Sequence, residues 1–455
     1  YKKRIQPLLS SIDTYNNTKD TDTLKYSLTQ SLRLIDEILE DNIKTIPLYK
    51  SFLNFNVHSF RSGKILNGWK VPYNWKLEKG EISTDDKIIH KAEEPFGVPV
   101  LSPSFKGRVD RKTLLKHIFT SKKIPSATPY NWTGLYRDSK NWGFCMPKNS
   151  LKKFKYNKYH INIKTRFRKS SMKVLDFQIK GKSKNTVIIN AHNCHPFQAN
   201  DDMSGCAVAI SIFKELKKFK NLYYTYRLLI SPEITGTVFW LNKLKNESKN
   251  FKYCILLKSV GNDNFLKLQH SYQKKTTLDK IAKKLLKQKF KHYRIGGFRE
   301  IYGNDETVFN SPGYDIPTIS ITRVPFKEYH TNFDTPKIVS EKKLQEVKSY
   351  TLGIIKNMEK DRKDNKFYRV NFNGLVSLSN KKYNLYLNAI APGIDKKKYT
   401  QSQKQWNLMM NNLPNDINFE KLSVNEIAKK YKLPINDLQM YLNKWEKKRL
   451  ISREI

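Results

Sequence analysis

Residues 190–205 read NAHNCHPFQANDDMSG, which places His192, His195, Asp201 and Asp202 in one short stretch. Imidazole nitrogen and carboxylate oxygen are the atoms zinc prefers, and three such ligands with one open position make a hydrolytic zinc site. A further carboxylate beside such an ion can take the proton of an attacking water. The same residue types recur downstream: Glu233 in SPEITGT, Asp263 in VGNDN, Asp305 and Glu306 in NDETVF, and His330 in EYHTNFDTP.

What must position these groups is legible around them. NTVIIN runs into His192, YRLLIS into Glu233, CILLKSVG into Asp263 and PTISIT into the segment holding His330. Each is a short apolar run of strand type, and helical patterns such as CAVAISIFKELKKF, VFWLNKLK and LDKIAKKLLKQ separate them. Alternation of this kind from about 170 to 360 predicts an α/β layer fold around a mixed, largely parallel sheet. Open sheets of that type carry their sites at the carboxyl ends of strands, where these residues fall. Asp201 precedes a helix, and a carboxylate suits that positive end. One His or Asp at such a place is ordinary structure; several, each at a strand end, point to a metal site.

The rest of the chain has other textures. Residues 1 to about 52 read as helical, with Leu24, Leu28, Leu32, Ile35 and Leu39 along one face. From about 55 to 165, tryptophans, prolines, glycines and short β-like runs predict a β-rich module with its own aromatic core, containing one helix at DRKTLLKHIF. Trp69, Trp75 and Trp142 are expected in that core. Residues 366–420 read as a polar connector. The C-terminal stretch puts Val424, Ile427, Ala428 and Tyr431 on one helix, then Leu438, Tyr441, Leu442 and Trp445 on a second after KLP. With the β-like LISREI, this outlines a winged helix.

The 455 residues carry a net charge of +44, spread along the whole chain with Lys far ahead of Arg. Dispersed charge gives only a weak, salt-sensitive pull on nucleic acid. No apolar run is long enough for a membrane helix. The N-terminal residues lack a signal peptide's apolar centre. Four cysteines without paired spacing fit free thiols in a reducing cytoplasm.

Taken in order, VIINAH with ANDDMSGCAVAI, SPEITGT, NDETVFNSPGYDIPT and EYHTNFDT resemble the signature segments of the zinc aminopeptidases with the leucyl-aminopeptidase-like α/β fold. The HxCHP…ANDxxSG pattern at 192–205 and WGFC at 142–145 resemble one bacterial branch. That branch carries an inserted β-rich domain and a C-terminal winged helix, and is associated with polysaccharide biosynthesis. The resemblance implies a three-layer domain in two pieces, 1–54 and 166–365, with the β-rich domain at 55–165 inserted and 366–455 as connector and winged helix. It implies His192, Asp201 and His330 as metal ligands. Glu233 is then either the catalytic base or a fourth ligand. His195 either replaces His192 or orients the site, and Cys194 is a further soft donor. Asp305 and Glu306 face the cleft as candidates for a substrate amine.

Two departures stand out. Where the family has paired glutamates, only Glu233 stands, between Pro232 and Ile234. Where it has a carboxylate before VG, Lys258 stands, with Asp263 a few residues late. One zinc ion is therefore expected. The expected activity is zinc-dependent hydrolysis of an amide, either an N-terminal peptide bond or an amide on a sugar or amino-acid conjugate. The alternative is a non-catalytic metal-holding scaffold, or a regulator acting through the winged helix. That last domain is expected to meet a protein partner, not a specific DNA sequence. No membrane partner is expected, and the sequence leaves the oligomeric state open.

Overall fold

The computed structural model of the chain describes residues 42–92, 96–132, 141–195, 198–364, 366–387, 399–420 and 422–453. The helical reading of residues 1–52 lies, up to residue 41, outside these. Two units can be described, residues 1–354 and 355–455.

In the first unit, helix α1 (Asn42–Phe52) leads into strand β1 (Asn56–Arg61). Then come β2 (Asn74–Ser83), β3 (Ile88–Lys91), β4 (Phe105–Asp110), helix α2 (Arg111–Lys116) and β5 (Lys158–Arg168). Strands β3, β2, β5 and β4 pair in that order as an antiparallel sheet. Its core holds Leu77, Ile82, Tyr159, Ile161 and Ile163, with Trp142 stacked between Phe105 at 4.2 Å and His117 at 3.9 Å. Trp142 lies in this core and Trp75 packs against it, whereas Trp69, expected there too, packs against a separate cluster with Phe60, Val71 and Trp240. Strand β1 is not part of its sheet: it pairs with β6 (Ser171–Ile179) at the edge of the main sheet.

The main sheet continues through β7 (Thr186–His192), helix α3 (Ser204–Leu216), β8 (Thr225–Ser231), helix α4 (Thr235–Lys243) and β9 (Phe251–Lys258). It is completed by β10 (Leu266–Gln269), helix α5 (Thr277–Lys289), β11 (Tyr293–Gly296) and β12 (Thr318–Thr322), and helix α6 (Glu341–Asp364) follows. The order across the sheet is β1-β6-β8-β7-β9-β12-β10-β11. Its four central strands, β8, β7, β9 and β12, are mutually parallel, and the β1-β6, β6-β8 and β12-β10 pairs are antiparallel. The chain is thus an α/β protein with a mixed sheet, and every residue of β7 and β8 is buried. Continuous apolar runs such as VII and LLI are what strands covered on both faces require.

Register places the chemistry. His192 lies opposite Ser231, two residues before Glu233. Asn190 lies opposite Leu256, which brings Lys258 level with His192, and Lys258 lies opposite Thr322. The chain steps from β7 to β8 on one side and returns to β9 on the other. That is the reversal beside which open sheets form their crevice.

In the second unit, β13 (Tyr368–Val370) pairs antiparallel with β14 (Ile451–Arg453). Helices α7 (Gln401–Asn418), α8 (Val424–Tyr431) and α9 (Ile435–Lys447) lie between them in sequence. The faces expected of α8 and α9 are buried as read, from Val424 to Trp445. The stretch expected to be a connector instead supplies β13 and α7. Met409, Met410, Leu413 and Ile417 repeat at helical spacing and are buried, and Thr400 with Gln403 caps the helix.

Candidate metal site

The site lies beyond the ends of β7, β8, β9 and β12. Past His192 the chain turns sharply: Gln198 accepts the backbone N–H groups of Cys194 (3.3 Å) and His195 (3.4 Å) and donates to Asn193 (2.9 Å). That turn carries His195 toward Asp201. Two buried carboxylates fix the next segment. Asp334 accepts from the N–H of Asn200 (2.7 Å) and of Asp201 (3.0 Å). Asp202 accepts from the N–H of His192 (3.0 Å) and of Ser259 (2.8 Å), joining the ends of β7 and β9. A Cβ on Gly205 would meet the Asp202 carboxylate at 2.5 Å and the Leu257 carbonyl at 2.7 Å, so only glycine allows this approach.

Asp201 is the hub. Its Oδ2 lies 3.4 Å from His195 Nε2 and 3.3 Å from His330 Nε2, and all three ligand atoms fall within 4.8 Å of one another. Among the described residues this oxygen is buried and accepts no hydrogen bond. Ligands held at 2.0–2.1 Å around a tetrahedral zinc stand about 3.3 Å apart. Both imidazole–Asp201 distances match that spacing, and the N, N, O donor set is one zinc accepts. Burial lowers the pKa of His330, and the neighbouring Asp201 carboxylate only partly offsets this, which favours the neutral imidazole a metal ligand requires.

The other oxygen of Asp201 faces a cation. Lys258 Nζ is 2.7 Å from Asp201 Oδ1 and 3.0 Å from Glu233 Oε2. Burial works against charge on all three groups, but each favours its partner's ionised form. Lys258 is raised well above its ordinary value, Asp201 is held well below, and Glu233 is lowered to about 2. The side chain of Glu233 is 24% exposed, so it is the partly open member of the network.

Of the residues expected at the site, Asp201, Glu233 and His330 come together, with His195 as the second imidazole. His192 stands apart from the group: its Nε2 faces Asp305 Oδ2 at 3.1 Å. Burial opposes charge on His192, and Asp305 raises its pKa nonetheless. Asp305 is fully buried and also receives the N–H of Ile234 and the hydroxyl of Thr237, so it secures the start of α4. Glu306 is fully buried and accepts from the N–H of Asn304 at 2.8 Å. Asp263 is exposed and belongs to no part of the group. Cys194 is a free thiol, as are the other three cysteines, and burial raises its pKa.

Sequence reasoning missed the aromatic walls. Tyr130 stacks on His195 (4.6 Å between ring centres) and meets His330 edge-on, as does Trp132 (5.5 Å). Tyr329 stacks on His330 at 3.8 Å. The strand-like pairing of Pro129 with Thr331, with Tyr130 N–H donating to the His330 carbonyl at 2.8 Å, ties the β-rich module to the last ligand loop. The only signal for this was aromatic density in SATPYNW, which spacing alone does not connect to a site.

The fold is the aminopeptidase-like one. Residues 27–361 match the family described as a domain of unknown function, DUF4910, and the chain belongs to that family. A Clostridium acetobutylicum protein named for polysaccharide biosynthesis and an aminopeptidase-like domain is 26% identical over 352 residues, 76% of this chain and 80% of that protein. A crystal structure from the same organism, described as a peptidase, superposes with a TM-score of 0.67 at 20% identity, covering 100% of both chains. A zinc aminopeptidase from Bacillus subtilis superposes with a TM-score of 0.54 at 14% identity, covering 74% of this chain and 95% of that one. Among the described residues no helix is long and apolar enough to cross a membrane.

Proposed function

We propose that this chain is a metal-dependent amide hydrolase that holds one zinc ion through His195, Asp201 and His330, with Glu233 as the base. The observation that carries the reading is the buried Asp201 Oδ2, which accepts no hydrogen bond and stands at tetrahedral spacing from two imidazoles. When bound, zinc supplies a Lewis acid that polarises a carbonyl and brings the pKa of water to about 7.

The chain's own residues supply the rest. Asp334 and Asp202 fix the backbone around Asp201, and Tyr130 and Tyr329 hold the two imidazole planes. Glu233, kept ionised by Lys258, takes a proton from the water that adds to the amide carbonyl. It returns that proton to the departing nitrogen as the C–N bond breaks. His192 serves as a positioning residue, joined to Asp305 behind the site. The substrate is an amide, in a peptide or on a sugar or amino-acid conjugate. In residues 366–455, the helix pair and two-stranded ladder support a winged helix, and we read it as the part that meets a protein partner.

A second reading, a metal-holding scaffold without turnover, is favoured by one observation. Lys258 Nζ stands 3.0 Å from Glu233 Oε2, so an ammonium already pairs the carboxylate that would have to take the proton, and it lowers that carboxylate's pKa. Zinc-loaded protein screened on aminoacyl, N-acylaminoacyl and acylamino-sugar amides separates the two. Turnover that falls about a hundredfold or more in Glu233→Gln, with zinc content unchanged, supports the hydrolase. Zinc retained without turnover on any amide supports the scaffold.

A further inference from the structure

We propose that Asn332 is a positioning residue for the zinc site: it clasps residues 128–132 of the β-rich module onto the loop that delivers His330, so that zinc binding and docking of that segment reinforce each other. This rests on the reading of His195, Asp201 and His330 as the zinc ligands. Asn332 meets Thr128 twice. Its Oδ1 accepts the Thr128 N–H at 2.9 Å, and its own N–H donates to the Thr128 carbonyl at 3.1 Å. Two residues on, the Tyr130 N–H donates to the His330 carbonyl at 2.8 Å, with Pro129 paired to Thr331 between them. These bonds zip the two segments into a short antiparallel ladder.

The ladder acts on a backbone that needs holding. His330 has a φ of 54°, in the left-handed region where a residue with a Cβ is disfavoured. A ligand keeps such a conformation only where its surroundings fix it. Tyr130 fixes the His330 carbonyl, and Asn332 fixes the chain two residues later. The same loop carries Asp334, which accepts the Asp201 N–H, so its position reaches a second ligand. On its other side the segment is anchored in its own module. Val100 N–H donates to the Asn131 carbonyl at 2.9 Å, and Phe96 meets the Tyr130 ring edge-on at 5.5 Å. The docked segment thereby sets the Tyr130 ring against both His195 and His330. Of the three hydrogen bonds, the one to Asn332 Oδ1 is made by a side chain, so a substitution can remove it. By linkage, the factor that docking adds to zinc affinity is the factor that zinc adds to docking.

The test measures zinc affinity by chelator competition on full-length wild type, Asn332→Ala, Tyr130→Ala and the double variant. Asn332→Ala should bind zinc about tenfold more weakly. Because it acts through the segment that carries Tyr130, the double variant should also lose about tenfold, not the roughly hundredfold of independent effects. In wild-type protein, zinc should slow hydrogen exchange of residues 128–132 by about the same tenfold. Wild-type affinity in Asn332→Ala, additive losses in the double variant, or exchange that zinc leaves unchanged overturns the inference. The exchange result needs no variant, so it decides even if neither substitution folds. Wild-type protein that binds no zinc instead overturns the metal reading on which the inference rests.

Discussion

Replacing His195 and His192 one at a time separates the ligand the geometry selects from the one sequence order suggests. His195 Nε2 stands 3.4 Å from Asp201 Oδ2, inside the three-atom group, whereas His192 Nε2 faces Asp305 at 3.1 Å. Four-ligand zinc sites bind with roughly 10–16 kcal/mol, so one ligand is worth about 3–4 kcal/mol. His195→Ala should therefore weaken zinc binding on the order of a thousandfold. The histidine side chain is 7% exposed beside Asp201, so the metal-free protein should lose some stability too, but less than in His192→Ala because Lys258 still pairs Asp201. His192→Ala should reverse that balance. It removes a fully buried partner of Asp305 and should cost about 3 kcal/mol of stability. Zinc affinity should stay within about tenfold, the range of indirect effects. Competition against a chromophoric chelator gives the affinities, and urea unfolding of metal-free protein gives the stabilities. If His192→Ala loses zinc while His195→Ala keeps it, the geometric argument is wrong and sequence order was the better guide.

Three further outcomes follow from the same contacts. Tyr130→Ala should weaken zinc binding about tenfold by freeing the His195 and His330 rings, while Tyr130→Phe, which keeps the stacking ring, should not; chelator competition on both variants checks this. Burial, with Asp305 adding to it, raises Glu306 from 4.5 to about 7, so the folded state binds the proton more tightly than the unfolded. That contribution is fully present below about pH 4.5 and is lost as pH rises through 7, about 3 kcal/mol in all. Glu306→Gln should remove this slope, making the variant more stable relative to wild type at pH 8 than at pH 5 in paired denaturant titrations. Residues 366–455 should select no motif from a random duplex pool at about 0.15 M salt. The start of α9 offers Asn436, Asp437 and Gln439, with Gln439 bonded to Tyr368 and Asn443 and no arginine for a guanine edge; a single enriched site would refute this.

The sheet and its order of ligand-bearing segments were legible because fully buried parallel strands must be continuous apolar runs, and VIIN, RLLIS, CILL and TISIT are such runs. Asp201, Glu233 and His330 followed from lying just past them. The choice between His192 and His195 was not legible. His192 ends β7 and His195 lies three residues on, and what separates them is a turn fixed by Gln198 and a buried partner, Asp305, more than 100 positions away in sequence. Asp305 was read as a cleft residue because the family resemblance implies it. Its burial comes from accepting the Ile234 N–H at the start of α4, a contact no local pattern encodes. Lys258 was legible as a departure, but its pairing with both Asp201 and Glu233 needed register across three strands. Helix α7 was overlooked because Asn and Gln dilute its apolar face, although Met409, Met410, Leu413 and Ile417 keep helical spacing.

The most direct test is anomalous diffraction at the zinc edge from crystals of zinc-loaded protein. The account predicts one peak about 2.0–2.1 Å from His195 Nε2, His330 Nε2 and Asp201 Oδ2, with Lys258 still bonded to Asp201 Oδ1. Two peaks about 3.5 Å apart, or a single peak on His192, would contradict it.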